Sequence, residues 1–482
     1  MNLVSLLSGT VKKSPDKVAV ISEGQEIDYR QLWKNIQRIL QQLKAKGFKK
    51  NDKIALFLNN SIEFVLCFYA ILMGGGVVIP LPTYLKQFEL KTILAHCLPS
   101  LVITQPDLWD KAAWGSVCPN NVNVISAAQL TTKDQVDHEG FEEKIESCKP
   151  DALASINYTY NGTGSPQGAE LTHGNYLYGL TGLIRHLGLR KSDVFLVPLS
   201  MAHIYSLALG NLVPILSGAS LAISDRYFPK TLFNLIETHQ VTVLVSVPAL
   251  FQFMNRELIR RKPAIGSLRL MVTGGEYMPP GLHASLRNSF NVPVVQGYGL
   301  TECLPILCNV PHGPNNPTSL GIPGRKDILV KIVDSRMKEV TKGKKGEILI
   351  KSPTTMKRYH RSVLATKRAF HHGWLRSGDF GTLDDNGFLY FAGLKKKIYN
   401  LSGLKVDPGE LEAVGKLHPA VKAIKIHGET IAGILPRTVL IAEVTVKEGF
   451  QLTGKELEEF YKSQIAGYKV PKQIIIKKKE ST

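Results

Sequence analysis

The sequence predicts an α/β protein: a large N-terminal domain of layered α/β subdomains carrying a small antiparallel β-barrel, then a small α+β C-terminal domain. Three observations predict it. Up to Gly321, strand-like apolar runs alternate with helical patterns, which argues for largely parallel sheets. From about Gly321, short strands follow one another between turns, the texture of an antiparallel sheet or barrel. After Gly393, a lysine-rich link leads into a new helix start.

Taken in order, Tyr29–Leu43 places Leu32, Ile36, Ile39, Leu40 and Leu43 at helical spacing, and Lys53–Leu58 reads as a buried strand. The apolar run Phe64–Pro80 approaches the length of a membrane span. It is broken by Gly74–Gly76 and closed by Pro80 and Pro82, so it reads as a buried helix, a glycine turn and a buried strand. Further strands are expected at Leu101–Thr104, Ala154–Tyr158, Val194–Pro198, Val241–Val245, Leu268–Thr273 and Val292–Val295. The antiparallel part is expected at Ile328–Val333, Gly346–Ile350 and Gly387–Phe391. Asp407 and Pro408 form an N-cap and first-position pair for a helix. The boundary is placed at Gly393–Lys397, giving domains 1–394 and 395–482.

With 482 residues, 44% hydrophobic and 21% charged, the chain is neither disordered nor fibrous and is large enough to fold without disulfides. Its six cysteines form no CxxC pair and read as buried thiols of a reduced compartment. The amino terminus lacks a basic segment followed by a long apolar core, so a soluble, cytoplasmic protein without an integral membrane segment is expected. The net charge of +19 favours acidic partners. Basic and aromatic residues are not interleaved, which speaks against nucleic acid.

The chemistry is concentrated in a few segments. Tyr158–His173 gathers Gly162, Thr163, Gly164, Ser165 and Gly168 after a strand, a loop that could bring N–H groups and hydroxyls round phosphate oxygens. Taken alone, such a loop is more often a plain turn than a phosphate cradle. Gln296–Glu302 adds glycines for close approach, the Tyr298 ring, the Thr301 hydroxyl and Glu302 as an oxygen ligand for Mg²⁺. Gly373–Asp379 puts an acid after a tight turn, suited to accept two ribose hydroxyl protons. His203 could be a core histidine or a site residue. Glu276 could be a solvated rim residue or one that selects a polar or cationic group.

In this order the segments resemble the adenylate-forming superfamily of acyl- and aryl-CoA synthetases, peptide-synthetase adenylation domains and luciferases. Thr159–Gly168 is similar to its phosphate loop, Gly297–Glu302 to its GYGxTE motif, Ser377–Asp379 to its [ST]GD motif and Gly393–Glu412 to its hinge. Pro198–His203 and Thr273–Glu276 resemble two further motifs. The resemblance implies ATP- and Mg²⁺-dependent activation of a carboxylic acid, taken here as fatty acyl, to an acyl-adenylate. A mobile C-terminal domain then turns about the hinge for transfer to the thiol of coenzyme A or of a phosphopantetheine carrier such as an acidic acyl carrier protein. It further implies that Gly162, Thr163 and Gly164 hold phosphate and that Gly275 and Tyr298 contact the nucleotide. Thr301 and Glu302 would serve phosphate and metal, and Asp379 ribose. His203 would stand between acyl pocket and thiol tunnel, and Gly403 would enter the site for the second step.

The chain also departs from the pattern. Gln167 stands at the loop lysine, Tyr160 at a serine, Asn161 at a glycine, Gly162 at a threonine, Leu394 at the ribose arginine and Lys397 at the hinge aspartate. No GK lysine follows Tyr468–Lys472. These departures predict, as the alternative, a catalytically impaired relative that binds nucleotide or acyl ligand as a regulator or scaffold.

Overall fold

Strands within both large sheets are short, mainly Val, Ile and Leu, and buried on both faces, as parallel strands covered by helices must be. The computed structural model describes residues 1–22, 24–109, 117–119, 122–131, 146, 148–160, 162, 164–224, 226–261, 263–313, 316–395, 398–401, 403–431 and 437–477. In the first sheet, Val18–Ser22, Ser220–Ile223, Val194–Val197, Val243–Ser246, Leu270–Thr273 and Val294–Leu300 run parallel in that spatial order. Antiparallel strands close both of its edges. In the second, Leu153–Thr159, Val77–Pro80, Lys53–Leu56, Leu101–Thr104 and Asn123–Ser126 are parallel. Gln167–Thr172 and Arg358–Tyr359 extend it antiparallel.

Helix Ile62–Met73 lies in the shared core with every residue but Glu63 buried, started by the Ser61 hydroxyl accepting from the Phe64 N–H. The turn after it must be glycine. A Cβ on Gly74 would meet Phe48 Cε1 at 2.3 Å, and one on Gly76 would meet the same ring at 2.8 Å. The apolar run is thus folded back on itself, and among the described residues no helix is long and apolar enough to cross a membrane.

Leu329–Val333, Gly346–Lys351, Trp374–Leu383, Phe370–His371 and Leu389–Leu394 form the expected antiparallel sheet. The tight turn expected ahead of Asp379 is His372–Gly373, which joins Phe370–His371 to Trp374–Leu383, and Ser377–Asp379 lie within the latter strand. Leu349 pairs with Arg376 and Glu347 with Phe380, so Ser377–Asp379 bulge opposite Ile348, with Gly378 at φ +76°. A glycine needed for a bulge looks in sequence like one needed for a turn. The strand expected at Lys53–Leu58 stops at Leu56, and that at Val241–Val245 starts at Val243. Four cysteines are buried, but Cys118 and Cys148 are only partly so; all six are free.

The remaining residues build the ribbon Tyr399–Leu401/Leu404–Val406, helix Pro408–Gly415, helix Gly454–Gln464 and the sheet of Val421–Ile431, Arg437–Val446 and Gln473–Lys477. They enclose their own apolar cluster, including Val406, Leu411, Val444, Leu457 and Tyr461, against which Phe88 of the large lobe also packs.

Gly74→Ala is expected to destabilise the protein by about 1–3 kcal/mol, the usual penalty for overpacking a core, seen as a lower urea midpoint. Gly266→Ala, where a Cβ has open space, is expected to leave the midpoint unchanged.

Candidate active site

The phosphate-loop segment is a hairpin connection whose base is fixed by pairing of Thr159 with Gln167. Gly162 and Gly164 take φ of +83° and +74°, which favours glycine. Thr163 and Asn161 lie outside the described residues. The hairpin from Val294–Leu300 to Cys303–Cys308 sets Thr301 and Glu302 at its turn. Glu302 is buried; its Oε1 accepts from the Tyr359 hydroxyl at 2.6 Å, while Oε2 is buried with no hydrogen-bond partner. The Tyr298 hydroxyl donates to Asp379 Oδ2 at 2.7 Å, and Asp379 pairs in register with Leu394.

Two cavities adjoin these groups. One is lined by Gly275, Tyr298, Asp379, Leu394 and the stacked rings of Tyr277 and Phe391, whose centroids are 6.3 Å apart. The other is an apolar pocket whose walls include Leu85, Leu183, Ile204, Leu209, Leu304 and Leu307. Gly275, Tyr298 and Lys405 line both. His203 opens on the apolar pocket and caps a short helix, its Nδ1 facing the Tyr205 N–H at 3.4 Å. Burial, aided by Lys405, lowers its pKa to about 4, so the imidazole is neutral near pH 7. Burial pushes Glu276 up to about 7, and its Oε2 has no hydrogen-bond partner.

The C-terminal lobe is seated on this site. Gly403, at φ +85°, lies against Gly275, and Asn400 Nδ2 donates to the Gly275 carbonyl at 2.9 Å. Asp407 caps its own helix through Oδ1, which accepts from Gly409 N–H at 2.9 Å. Its Oδ2 accepts from the Gly164 N–H at 2.7 Å. Beneath, the Lys469 ammonium, 0% exposed, lies 2.7 Å from Glu410 Oε2 and 2.6 Å from Glu89 Oε1. The Tyr160 hydroxyl donates to Glu410, and Lys469 sits 4.0 Å from the Tyr160 ring centroid.

The structure therefore gathers Tyr298, Thr301, Asp379, Gly275, His203 and Gly403 around adjoining cavities, whereas Glu302 sits beside Thr301 at the hairpin turn and Gly164 faces Asp407, neither lining them. Sequence reading missed Lys405, the Tyr277–Phe391 pair and the Glu89–Glu410–Lys469 cluster. Tyr160 was visible only as a departure from the phosphate-loop pattern. Its contacts supply the reason for a large side chain there.

The sequence pattern of the AMP-binding enzyme family matches residues 7–360. The chain belongs to this family. It is 30% identical over 463 residues to the 2-succinylbenzoate–CoA ligase of Bacillus licheniformis, covering 95% of this chain and 92% of the relative. It is 27% identical over 467 residues to a feruloyl-CoA synthase of Amycolatopsis sp., with 96% and 92% covered. Among solved structures, a double mutant of the o-succinylbenzoate CoA synthetase of Bacillus subtilis, bound to the product analogue OSB-NCoA, superposes with a TM-score of 0.87 at 26% identity, covering 98% and 95% of the two chains. The same synthetase with AMP gives 0.74 (98% and 94% covered) and with its acyl-adenylate 0.73. The chain is an acid–thiol ligase of this family with the corresponding α/β fold.

Because Glu276 has a pKa raised from 4.5 to about 7, the folded protein holds that proton more tightly than the unfolded chain. This contribution favours folding most below pH 4.5 and turns into a full cost above pH 7. Glu276→Gln is expected to raise stability by on the order of 2 kcal/mol at pH 8 and to have little effect at pH 4.5, read by urea unfolding at both pH values.

Proposed function

We propose that this chain, with residues 1–394 and 395–482 acting as two domains, activates a monocarboxylic acid with an apolar body, fatty acyl or aryl, at the expense of ATP and hands the acyl group to a thiol. The observation that carries this reading is the meeting of Asp379, Tyr298 and Gly275 round one cavity that adjoins an apolar pocket through shared walls. In the first step, a carboxylate oxygen attacks the α-phosphorus of ATP and pyrophosphate leaves. In the second, a thiolate sulfur attacks the acyl carbonyl and AMP leaves.

Two anions must approach each other in the first step, so neutralising groups decide the rate. The Asp379 carboxylate accepts ribose hydroxyl protons, with the Tyr298 hydroxyl fixing one of its oxygens. Gly162 and Gly164 present backbone N–H groups without side-chain obstruction. Thr301 offers its hydroxyl to phosphate. Lys405 is the charged side chain among the described residues of the apolar pocket and stands where both cavities meet. The neutral His203 lies between pocket and thiol route as a hydrogen-bonding wall. The orphaned Oε2 of Glu302 fits a divalent cation, and bound Mg²⁺ would offset phosphate charge there. Pocket walls of leucine, isoleucine and alanine, with no cation deep inside among the described residues, favour a single carboxylate over a dicarboxylate.

The docked C-terminal lobe is read as the arrangement for the second step. With Asp407 on the Gly164 N–H, the loop donor is taken by a carboxylate. The better superposition on the product-analogue complex than on the AMP and acyl-adenylate complexes of one synthetase supports this reading.

Pyrophosphate–ATP exchange should appear with apolar monocarboxylates and Mg²⁺, and fall by ~100- to 1000-fold in Asp379→Ala and Glu302→Gln, as for loss of a charged transition-state contact. Exchange with no acid, from folded protein that binds ATP, would overturn the ligase reading in favour of a ligand-binding relative. A preference for dicarboxylates would overturn the acid class.

A further inference from the structure

Helix Val363–Ala369, which joins the edge strand Arg358–Tyr359 to Phe370–His371, is packed against the usual rule. Its alanines Ala365 and Ala369, four residues apart and so on one face, pack on the core. Its larger apolar residues, Val363 and Leu364, are left 69% and 71% exposed. Apart from Met1, no other large hydrophobic residue among those described is as exposed. Covering alanine while leaving valine and leucine in water forgoes hydrophobic free energy, so the arrangement answers to something outside the chain. The pair stands on a fixed support, because the Tyr359 N–H donates to the Thr366 hydroxyl at 3.0 Å and ties the helix to the edge strand.

The same face is cationic. Lys367 lies one turn from both Val363 and Leu364, and Arg368 one turn from Leu364. Both are exposed, with no ion pair to any described residue. Arg361, two residues before the helix, is exposed as well, its guanidinium donating to the His96 carbonyl at 3.4 Å. From Lys351 to Ser377 the sequence holds seven Lys and Arg and no Asp or Glu, so no acid of this segment offsets them. Cations alone would suit any polyanion, and aliphatic side chains alone any apolar groove. Here the aliphatic pair is a projection and not a groove, and the helix has no aromatic residue to stack on a base. Together they match a surface that is anionic outside and apolar a few ångströms deeper, as an anionic bilayer is.

We propose that helix Val363–Ala369 docks this protein on an anionic lipid surface. Val363 and Leu364 enter the layer beneath the headgroups, and Arg361, Lys367 and Arg368 meet the lipid phosphates. Two aliphatic side chains and a few cations fall far short of an anchored segment, so the docking is peripheral and reversible. It gives a use to part of the net charge of +19, which the reaction centre does not account for. The docking goes beyond the ligase reading and stands whether or not the chain turns over.

The test is co-sedimentation of the full-length chain with vesicles of equal parts phosphatidylglycerol and phosphatidylcholine, and with vesicles of phosphatidylcholine alone. Binding is expected to the first at millimolar lipid and not to the second, and to weaken as salt is raised. The double variant Val363→Ser/Leu364→Ser keeps the charge and is expected to lower the partition coefficient about 10-fold or more, the scale of losing two buried aliphatic side chains. Lys367→Gln/Arg368→Gln is expected to lower it about 30-fold and to flatten its salt dependence. Both variants should keep the parent's urea midpoint, since none of the four side chains is in the core. A lowered midpoint in Val363→Ser/Leu364→Ser would show a packing role and overturn the proposal. Equal binding of that variant and the parent would overturn it too, by showing attraction through diffuse charge elsewhere on the chain. So would failure of the parent to bind the anionic vesicles. Tighter binding of a duplex DNA fragment than of the vesicles, lost in the same variants, would reassign the surface to nucleic acid. Because sedimentation needs no turnover, absence of pyrophosphate–ATP exchange would end the ligase reading and leave this result as it stands.

Discussion

The Lys469 ammonium, buried between Glu89 of the large lobe and Glu410 of the small one, sets how the two lobes sit. Burial works against its charge, but Glu89, Tyr160 and Glu410 together outweigh it and hold the lysine protonated. Glu410 is pushed up by burial first, drawn down by Lys469 and pushed up again by Glu89. Such a cluster is weak evidence for stability, since desolvation consumes most of the attraction. Its value here is geometric. Removing one partner leaves an uncompensated buried charge, so the charges are satisfied together only when the lobes meet in one register. Glu89 Oε2 reinforces that register by accepting from the Ala466 N–H at 2.8 Å.

From this register the occupancy of the phosphate loop follows. Helix Pro408–Gly415 starts against the loop, close enough that a Cβ on Gly409 would stand 3.3 Å from Gly164 Cα. Asp407 is thereby brought within 2.7 Å of the Gly164 N–H. A carboxylate oxygen and a phosphate oxygen compete for the same kind of donor. Seating the small lobe and holding a phosphate on that N–H are therefore alternatives, and Tyr160 ties the loop to the same switch through Glu410. The proposed two-step reaction would use such an alternation, with the loop open to ATP first and the small lobe, whose Gly403, Leu404 and Tyr468 line the inter-lobe cavity, docked afterwards.

Much of the fold was legible because parallel strands buried on both faces are short apolar runs, as at Leu101–Thr104 and Leu270–Thr273. The N-cap at Asp407 was legible for the same local reason. The bulge at Ser377–Asp379 was not, because it depends on the strand opposite. Among site residues, those in glycine-rich segments could be found since close backbone approach leaves a trace in sequence. Lys469 and Glu89 leave none: they are separated by most of the chain, and each looks like a surface charge until the lobes are put together. Leu394, conspicuous as a missing arginine, proves to be the register partner of Asp379 on the neighbouring strand and to line the same cavity as Asp379.

The most direct test of this coupling is the distance between a probe on the exposed face of helix Gly454–Gln464 and one on the large lobe, followed as Mg²⁺ and ATP are added. Without nucleotide, the distance is expected to be that of the docked arrangement. Saturating ATP should shift the distribution away from it, and Lys469→Met should shift it without ATP. An identical distance in all three conditions would contradict the claim that phosphate and Asp407 exclude each other at Gly164.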